Sequence, residues 1–205
     1  MMGRKITLEI DGKPVEAEEG MTVLQAAKKA GIEIPTLCYN EQLEPYGACR
    51  ICLVEATKNG RTRYVVSCVY PVEEGLKVKT DTEKIRRMRK ILLELMLPLA
   101  PASGPLRDLA EKYGVKESRF QTEPTACILC GLCVRYCAEV KKTNAVSFVG
   151  RGTERQIAFV PEVAPYECPS CRECYGLCPG GKIVEAESQG LLSMPITRKT
   201  AAGRR

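Results

Sequence analysis

Twelve cysteines divide along the chain into three sets of four, with none left over. Cys38, Cys49, Cys52 and Cys68 follow the spacing Cys-x10-Cys-x2-Cys-x15-Cys. Cys127, Cys130, Cys133 and Cys137, and then Cys168, Cys171, Cys174 and Cys178, each read Cys-x2-Cys-x2-Cys-x3-Cys. The 205 residues contain no histidine. Four thiolates are what one iron–sulfur cluster needs. The missing imidazole removes Rieske centres, histidine-ligated clusters, His-bound haem and an imidazole general base from consideration.

Disulfides are the competing reading, because the cysteine count is even. The start, Met1-Met2-Gly3-Arg4-Lys5-Ile6-Thr7, leads straight into a charged, alternating segment without the apolar stretch of a signal peptide. The longest apolar run, Ile91 to Ala100, contains Glu94 and Pro98 and falls well short of the ~20 residues of a membrane span. These features predict a soluble cytoplasmic protein, where tight Cys-x-x-Cys spacing means metal. Trp is absent and there are three Phe, so small cofactor-stapled modules fit better than one large aromatic core.

The formal charge of +6 suggests a nucleic-acid partner. That count treats each thiol as neutral. An oxidised cluster with four thiolates carries about −2, so three of them contribute about −6. The loaded protein is then close to neutral, and no recognition helix or nucleic-acid motif is visible.

Lys5 to Ile10 alternates as a half-buried strand should, Asp11-Gly12 is a hairpin signal, and Pro14 to Glu18 is the return strand. Thr22 with Gln25 three residues on reads as a capping box, Leu24, Ala27 and Ala30 as the inner helix face, and Gly31 as the stop. Residues 35–52 form a loop with three cysteines. Leu53 to Thr57 and Tyr64 to Cys68 read as strands around Asn59-Gly60, and Leu76 to Val78 as a last short one. From 81 to about 97 an amphipathic helix carries Ile85, Met88, Leu92 and Leu95 as its apolar stripe, widened by Ile91 and Met96. Arg86, Arg87, Arg89 and Lys90 read as its solvated or docking face. Ser103 caps a second helix running to Tyr113 and closed by Gly114. Ala145 to Val149 and Ile157 to Val160 form a hairpin around Gly150-Arg151-Gly152. The expected organisation is α+β: an N-terminal β-grasp [2Fe–2S] domain at 1–80, a helical connector at 81–122, a 2[4Fe–4S] domain at 123–185, and a polar, flexible tail at 186–205.

The repeated motif resembles the duplicated half of bacterial-type ferredoxins. In that pattern three cysteines wrap one cube and the fourth starts a helix that leads to the other cube. Carried over, the resemblance assigns one [4Fe–4S] cluster to Cys127, Cys130, Cys133 and Cys178, and the other to Cys168, Cys171, Cys174 and Cys137. Pro179 follows the last cysteine as in that motif, whereas Ala138 stands in the equivalent place after the first set. A zinc ribbon on Cys127/Cys130 and Cys168/Cys171 would leave four cysteines unexplained. Gly131, Ser170 and Gly176 permit close backbone approach to sulfur, and Ile128, Leu129, Leu132 and Val134 would exclude water. The first set suits a [2Fe–2S] cluster with three ligands from a loop and the fourth, Cys68, from a following strand; a structural zinc site is the alternative there.

Tyr46-Gly47-Ala48-Cys49-Arg50-Ile51-Cys52-Leu53-Val54-Glu55 resembles the [2Fe–2S] module of the large iron–sulfur subunit of respiratory complex I. The same module occurs in the diaphorase part of NAD-reducing hydrogenases and at the N-terminus of [FeFe]-hydrogenases. Cys130-Gly131-Leu132-Cys133-Val134-Arg135-Tyr136-Cys137-Ala138-Glu139 and Gly150-Arg151-Gly152 are similar to the following segment of that group. Those relatives usually carry a further cube, ligated by one histidine and three cysteines, between the two modules. Here the stretch Leu97-Pro98-Leu99-Ala100-Pro101-Ala102-Ser103-Gly104 has neither residue type. The modules must therefore close up directly or use a partner's cofactor.

The resemblance implies an electron-transfer subunit with no active site of its own. Its expected partners are a flavin- or NAD(H)-binding subunit and a catalytic oxidoreductase subunit, such as a hydrogenase, formate dehydrogenase, heterodisulfide-reductase-like or tungsten/molybdenum enzyme. A free-standing multicluster ferredoxin is the alternative. Gly150-x-Gly152 lacks the third glycine of a dinucleotide fingerprint, and no phosphate loop follows a strand.

Overall fold

In the computed structural model, which describes residues 4–121 and 124–184, β1 (Lys5–Ile10) and β2 (Lys13–Glu18) pair antiparallel with Ile10 opposite Lys13. The turn needs left-handed backbone at both central positions, and Asp11 and Gly12 supply it with φ of 50° and 79°. Alternation places Ile6, Leu8 and Ile10 on one buried face with Val15 and Ala17. Beneath that face lies α1 (Val23–Lys29). Thr22 Oγ1 accepts from the Gln25 backbone N–H while the Gln25 side chain accepts from the Thr22 N–H. The helix ends in a Schellman motif: the Gly31 N–H donates to the Lys28 carbonyl and the Ile32 N–H to that of Ala27. Its buried side chains are Val23, Leu24, Ala26 and Ala27; Ala30, expected inside, is the C-cap and lies exposed.

β3 (Leu53–Lys58) and β4 (Arg61–Val66) form a hairpin across Asn59-Gly60. β5 (Lys77–Lys79) then pairs parallel with β1 and antiparallel with β3. The result is a mixed five-stranded sheet of order β2-β1-β5-β3-β4. β4 begins and ends earlier than the sequence predicts, so Cys68 lies on the turn after the strand and not within it. The Asp11 carboxylate accepts from the Thr80 N–H at 2.8 Å and its hydroxyl at 2.6 Å, tying the first hairpin to the end of β5.

Thr82 caps α2 (Glu83–Met96) by accepting from the Ile85 N–H. Its buried residues are Ile85, Arg89, Leu93, Glu94 and Met96; Ile85 and Met96 belong to the predicted stripe, whereas Met88, Leu92, Ile91 and Leu95 are not buried. Ile91 and Leu95 are 42% and 45% exposed. The prediction counted Arg89 as a surface residue; the fold instead finds partners for its guanidinium and turns that side inward. After a 3-10 turn at Leu97–Leu99, Ser103 caps α3 (Gly104–Lys112). The remaining described elements are α4 (Leu132–Glu139), the hairpin of β6 (Val146–Val149) and β7 (Gln156–Phe159) with a 3-10 turn at Gly152–Glu154 between them, and α5 (Ala164–Cys171). The polar tail predicted at 186–205 lies outside the described residues.

Three buried clusters organise these elements. One lies between the five-stranded sheet and α1. A second joins Leu37, Cys38, Cys49 and Ile51 from the long loop to Leu93 and Met96 of α2, Leu106 and Ala110 of α3, and Cys130, Leu132 and Tyr136. The third gathers Cys133, Cys137, Val146, Phe159, Ala164 and Ile183. The middle cluster makes α2 and α3 part of the packing around both cysteine-rich halves. Among the described residues no helix is long and apolar enough to cross a membrane.

Candidate metal centres

Cys38 and Cys49 lie on the loop between α1 and β3, Cys52 immediately precedes β3, and Cys68 follows β4; all four are buried. They associate as two thiol pairs. The Cys49 thiol donates to Cys38, whose pKa that bond lowers from 9.0 to about 6, while the Cys49 thiol itself is pushed up. In the same way Cys68 donates to Cys52, lowering it to about 7, and is itself pushed up. Iron is ligated by thiolates, so loading a cluster requires loss of the thiol protons. The Cys49 N–H donates to Cys38 Sγ at 3.3 Å, and the Ala48 N–H reaches the same sulfur. Gly47 and Arg50 take left-handed backbone, with φ of 68° and 62°, and so bend the loop over the sulfurs. A Cβ at Gly47 would lie 3.3 Å from the Val69 side chain.

Behind this loop three successive carbonyls are fixed. Arg89 Nε donates to the Ile51 carbonyl at 3.0 Å and Nη2 to that of Leu53 at 2.7 Å. Between them the Cys52 carbonyl accepts from the Ser67 hydroxyl at 2.8 Å and the Ser67 N–H at 3.1 Å. Arg89 Nη1 donates to the Tyr113 hydroxyl at 2.8 Å. The sequence reading had set Arg89 among the solvated residues and missed Ser67 and Tyr113. The available signal was the position of Arg89, four residues from both Ile85 and Leu93 on the helix.

Cys127 and Cys130 lie on the loop before α4, Cys133 in its first turn and Cys137 one turn later. α4 thus begins at Leu132, before Cys137, and carries both residues. Cys127, Cys130 and Cys133 each feel the charge of Cys178, and burial pushes all three thiols up, Cys130 to about 12. Cys130 also feels the charge of Cys38, and both belong to the same buried core. Left-handed backbone at Ala126, Leu129 and Gly131 curls the loop, and the Leu129 N–H donates to Cys127 Sγ at 3.4 Å. Gly131 fits between the rings of Tyr46 and Phe148, each 3.4 Å from where a Cβ would stand.

Cys137 faces Cys168, Cys171 and Cys174 across a cavity also lined by Tyr136, Ala145, Val146 and Tyr175. The Ala145 N–H donates to Cys137 Sγ at 3.2 Å. Burial pushes Cys168 up to about 11 and Cys174 up to about 12. The Tyr136 hydroxyl donates to Glu173 at 2.7 Å, and Lys141 pairs with the same carboxylate at 2.5 Å, which fixes the loop between Cys171 and Cys174. All twelve cysteines are free thiols. Among the described residues no three Cys, Asp or Glu side chains converge closely enough to hold one metal ion. Cys137, Cys168, Cys171 and Cys174 line one cavity, and backbone N–H groups are aimed at the sulfurs of Cys38, Cys127 and Cys137. This donor set fits polynuclear clusters.

Residues 3–83 match the model of the 2Fe-2S iron-sulfur cluster binding domain. The chain is 35% identical over 204 residues to the NADPH-Fe(3+) oxidoreductase subunit alpha of Geobacter sulfurreducens, covering 87% of this chain and 24% of that protein. It is 33% identical over 204 residues to the NADH-ubiquinone oxidoreductase 75 kDa subunit of Reclinomonas americana, covering 87% of this chain and 29% of that one. Among solved structures it resembles a chain of an NAD+-reducing [NiFe]-hydrogenase, with a TM-score of 0.66 and 32% identity over 76% of this chain and 75% of that chain. The chain belongs to the family of iron–sulfur subunits found in complex I and NAD(P)-linked hydrogenases, and its N-terminal part is a ferredoxin-type [2Fe–2S] domain. It spans about a quarter of the length of the curated relatives it matches.

Proposed function

We propose that this chain is an electron-relay subunit. It would hold one [2Fe–2S] cluster on a β-grasp domain and two [4Fe–4S] clusters on a bacterial-type ferredoxin domain. Cys38, Cys49, Cys52 and Cys68 hold the first cluster. Cys127, Cys130, Cys133 and Cys178 hold one cube; Cys137, Cys168, Cys171 and Cys174 hold the other. When bound, the clusters supply one-electron oxidation and reduction without proton chemistry on the protein. The chain's own residues bury the sulfurs, direct N–H groups at them and exclude water.

The observation that carries this reading is that Cys38 and Cys49 of the first set and Cys130 of the second belong to one buried core. Of the two ways of joining the modules without a bridging cluster, this shared core supports direct closure. α4 then links the second set to the third, because Cys133 and Cys137 lie one turn apart on it. The partners are an NAD(P)H- or flavin-binding subunit on one side and a catalytic oxidoreductase subunit on the other. The names of the relatives and their greater length support that assignment.

The test is composition followed by one substitution. Iron and acid-labile sulfide in anaerobically purified protein should each approach about ten per chain, from two, four and four. A value near four would refute the three-cluster reading. Cys178→Ser should first damage the cube of Cys127, Cys130 and Cys133, seen as loss of one of two [4Fe–4S] signals. Loss of the Cys168 cube instead would refute the crossed assignment.

A further inference from the structure

Arg89 is 1% exposed, a cation sealed beneath the first cysteine set. Its donors go to the carbonyls of Ile51 and Leu53, the residues on either side of Cys52, and to the Tyr113 hydroxyl, all uncharged groups. The carboxylate within ion-pair reach is that of Asp81, 3.7 Å away. Asp81 is itself held by Arg86, whose Nε and Nη2 donate to it at 3.0 and 2.5 Å, and its side chain is 43% exposed. The protein therefore leaves much of the buried positive charge uncompensated. Burial of such a charge is costly unless an opposite charge lies nearby. A [2Fe–2S] cluster on four thiolates carries about −2 when oxidised and about −3 when reduced.

We propose that Arg89 is a positioning residue that sets the reduction potential of the [2Fe–2S] site while clamping the loop that holds Cys49 and Cys52. Its charge is the counter-charge for the cluster and favours the more negative, reduced form. Charges in the interior are screened weakly, so one buried guanidinium acts more strongly than the exposed cations of α2. This gives α2 a role at the first centre in place of the docking role its arginines suggest. The inference rests on the [2Fe–2S] reading above.

The experiment is an EPR-monitored redox titration of the loaded protein, comparing wild type with Arg89→Gln, Arg89→Lys and Asp81→Asn. Arg89→Gln should lower the reduced-to-oxidised ratio of the [2Fe–2S] signal about tenfold at a fixed potential, about 59 mV for a one-electron couple, with both [4Fe–4S] signals unmoved. Arg89→Lys should stay closer to wild type, because the charge is kept although the fork is lost. Asp81→Asn, which leaves the clamp intact, should move the ratio the other way. An unmoved [2Fe–2S] potential in Arg89→Gln, or an equal shift in all three centres, overturns the proposal. If Arg89→Gln does not retain its cluster, Asp81→Asn decides alone: an upward shift supports the proposal and no shift overturns it. A wild-type protein without a [2Fe–2S] signal refutes the underlying cluster reading, a result distinct from a signal whose potential does not respond.

Discussion

Ser103 serves two segments with one hydroxyl. It accepts from the Leu106 N–H to cap α3, and it donates to the carbonyl of Pro179, the residue after Cys178. One position further on, Gly180 packs so closely against the Ala126 carbonyl that a Cβ there would overlap backbone. These two residues seat Cys178 beside Cys127, which follows Ala126. Backbone cannot yield as a side-chain tip can, so Gly180→Ala should displace the Cys178 loop. The expected outcome is loss of one [4Fe–4S] EPR signal, with the [2Fe–2S] signal retained. Ser103→Ala should cost about 1 kcal/mol for the lost cap, plus ~1–3 kcal/mol if the buried Pro179 carbonyl stays unpaired, measured by urea denaturation of the loaded protein. The resemblance to bacterial-type ferredoxins implied that Cys178 joins the earlier set. It did not show which residues hold it there, because Ser103 and Cys178 are far apart in the chain and their contact follows from the packing of α3.

Among the elements, the first hairpin and α1 were legible from sequence because their signals are local. Period-two alternation, the Asp11-Gly12 turn and the Thr22–Gln25 box each depend on residues a few positions apart. α2 shows where that kind of reading fails. Ile85, Met88, Leu92 and Leu95 form an acceptable stripe, yet the buried residues are Ile85, Arg89, Leu93, Glu94 and Met96. Hydropathy cannot anticipate that carbonyls from another segment will satisfy an arginine. The two sets predict different stability effects. Leu93, fully buried, should cost about 2–5 kcal/mol on replacement by Ala, whereas Leu95→Ala, 45% exposed, should change stability by about 0.5 kcal/mol or less. Chemical denaturation of both variants separates the alternatives, and equal effects would favour the sequence-based stripe.

Across the whole molecule, the three buried clusters differ in their dependence on cysteine. The one under the five-stranded sheet has Cys52 and Cys68 among eighteen members, the other sixteen being aliphatic. The other two count Cys38, Cys49, Cys130, Cys133 and Cys137 among their members. Removal of iron by chelation under reducing conditions should therefore leave the sheet able to protect its amides. The amides of α4 and of the β6–β7 hairpin should lose protection first. Hydrogen exchange followed by mass spectrometry reads this directly, and uniform loss across the chain would contradict it. Burial pushes most thiols of the second and third sets upward, so the empty sites favour neutral sulfur and cluster loading must release those protons.

The sequence by itself determined the chemistry. Donor type and donor number reside in residue identity, so twelve cysteines in sets of four and the absence of histidine define the ligand supply without any fold. It also determined the elements whose turns and caps are local. Only the tertiary structure decided how the sets are packed. Cys38 and Cys130 fall in one buried core because the long loop, α2 and α3 pack with the start of α4. Arg89 became a residue of the first centre because two distant carbonyls accept its donors. Both arrangements join segments far apart in the chain, where burial and hydrogen-bond satisfaction outweigh local pattern.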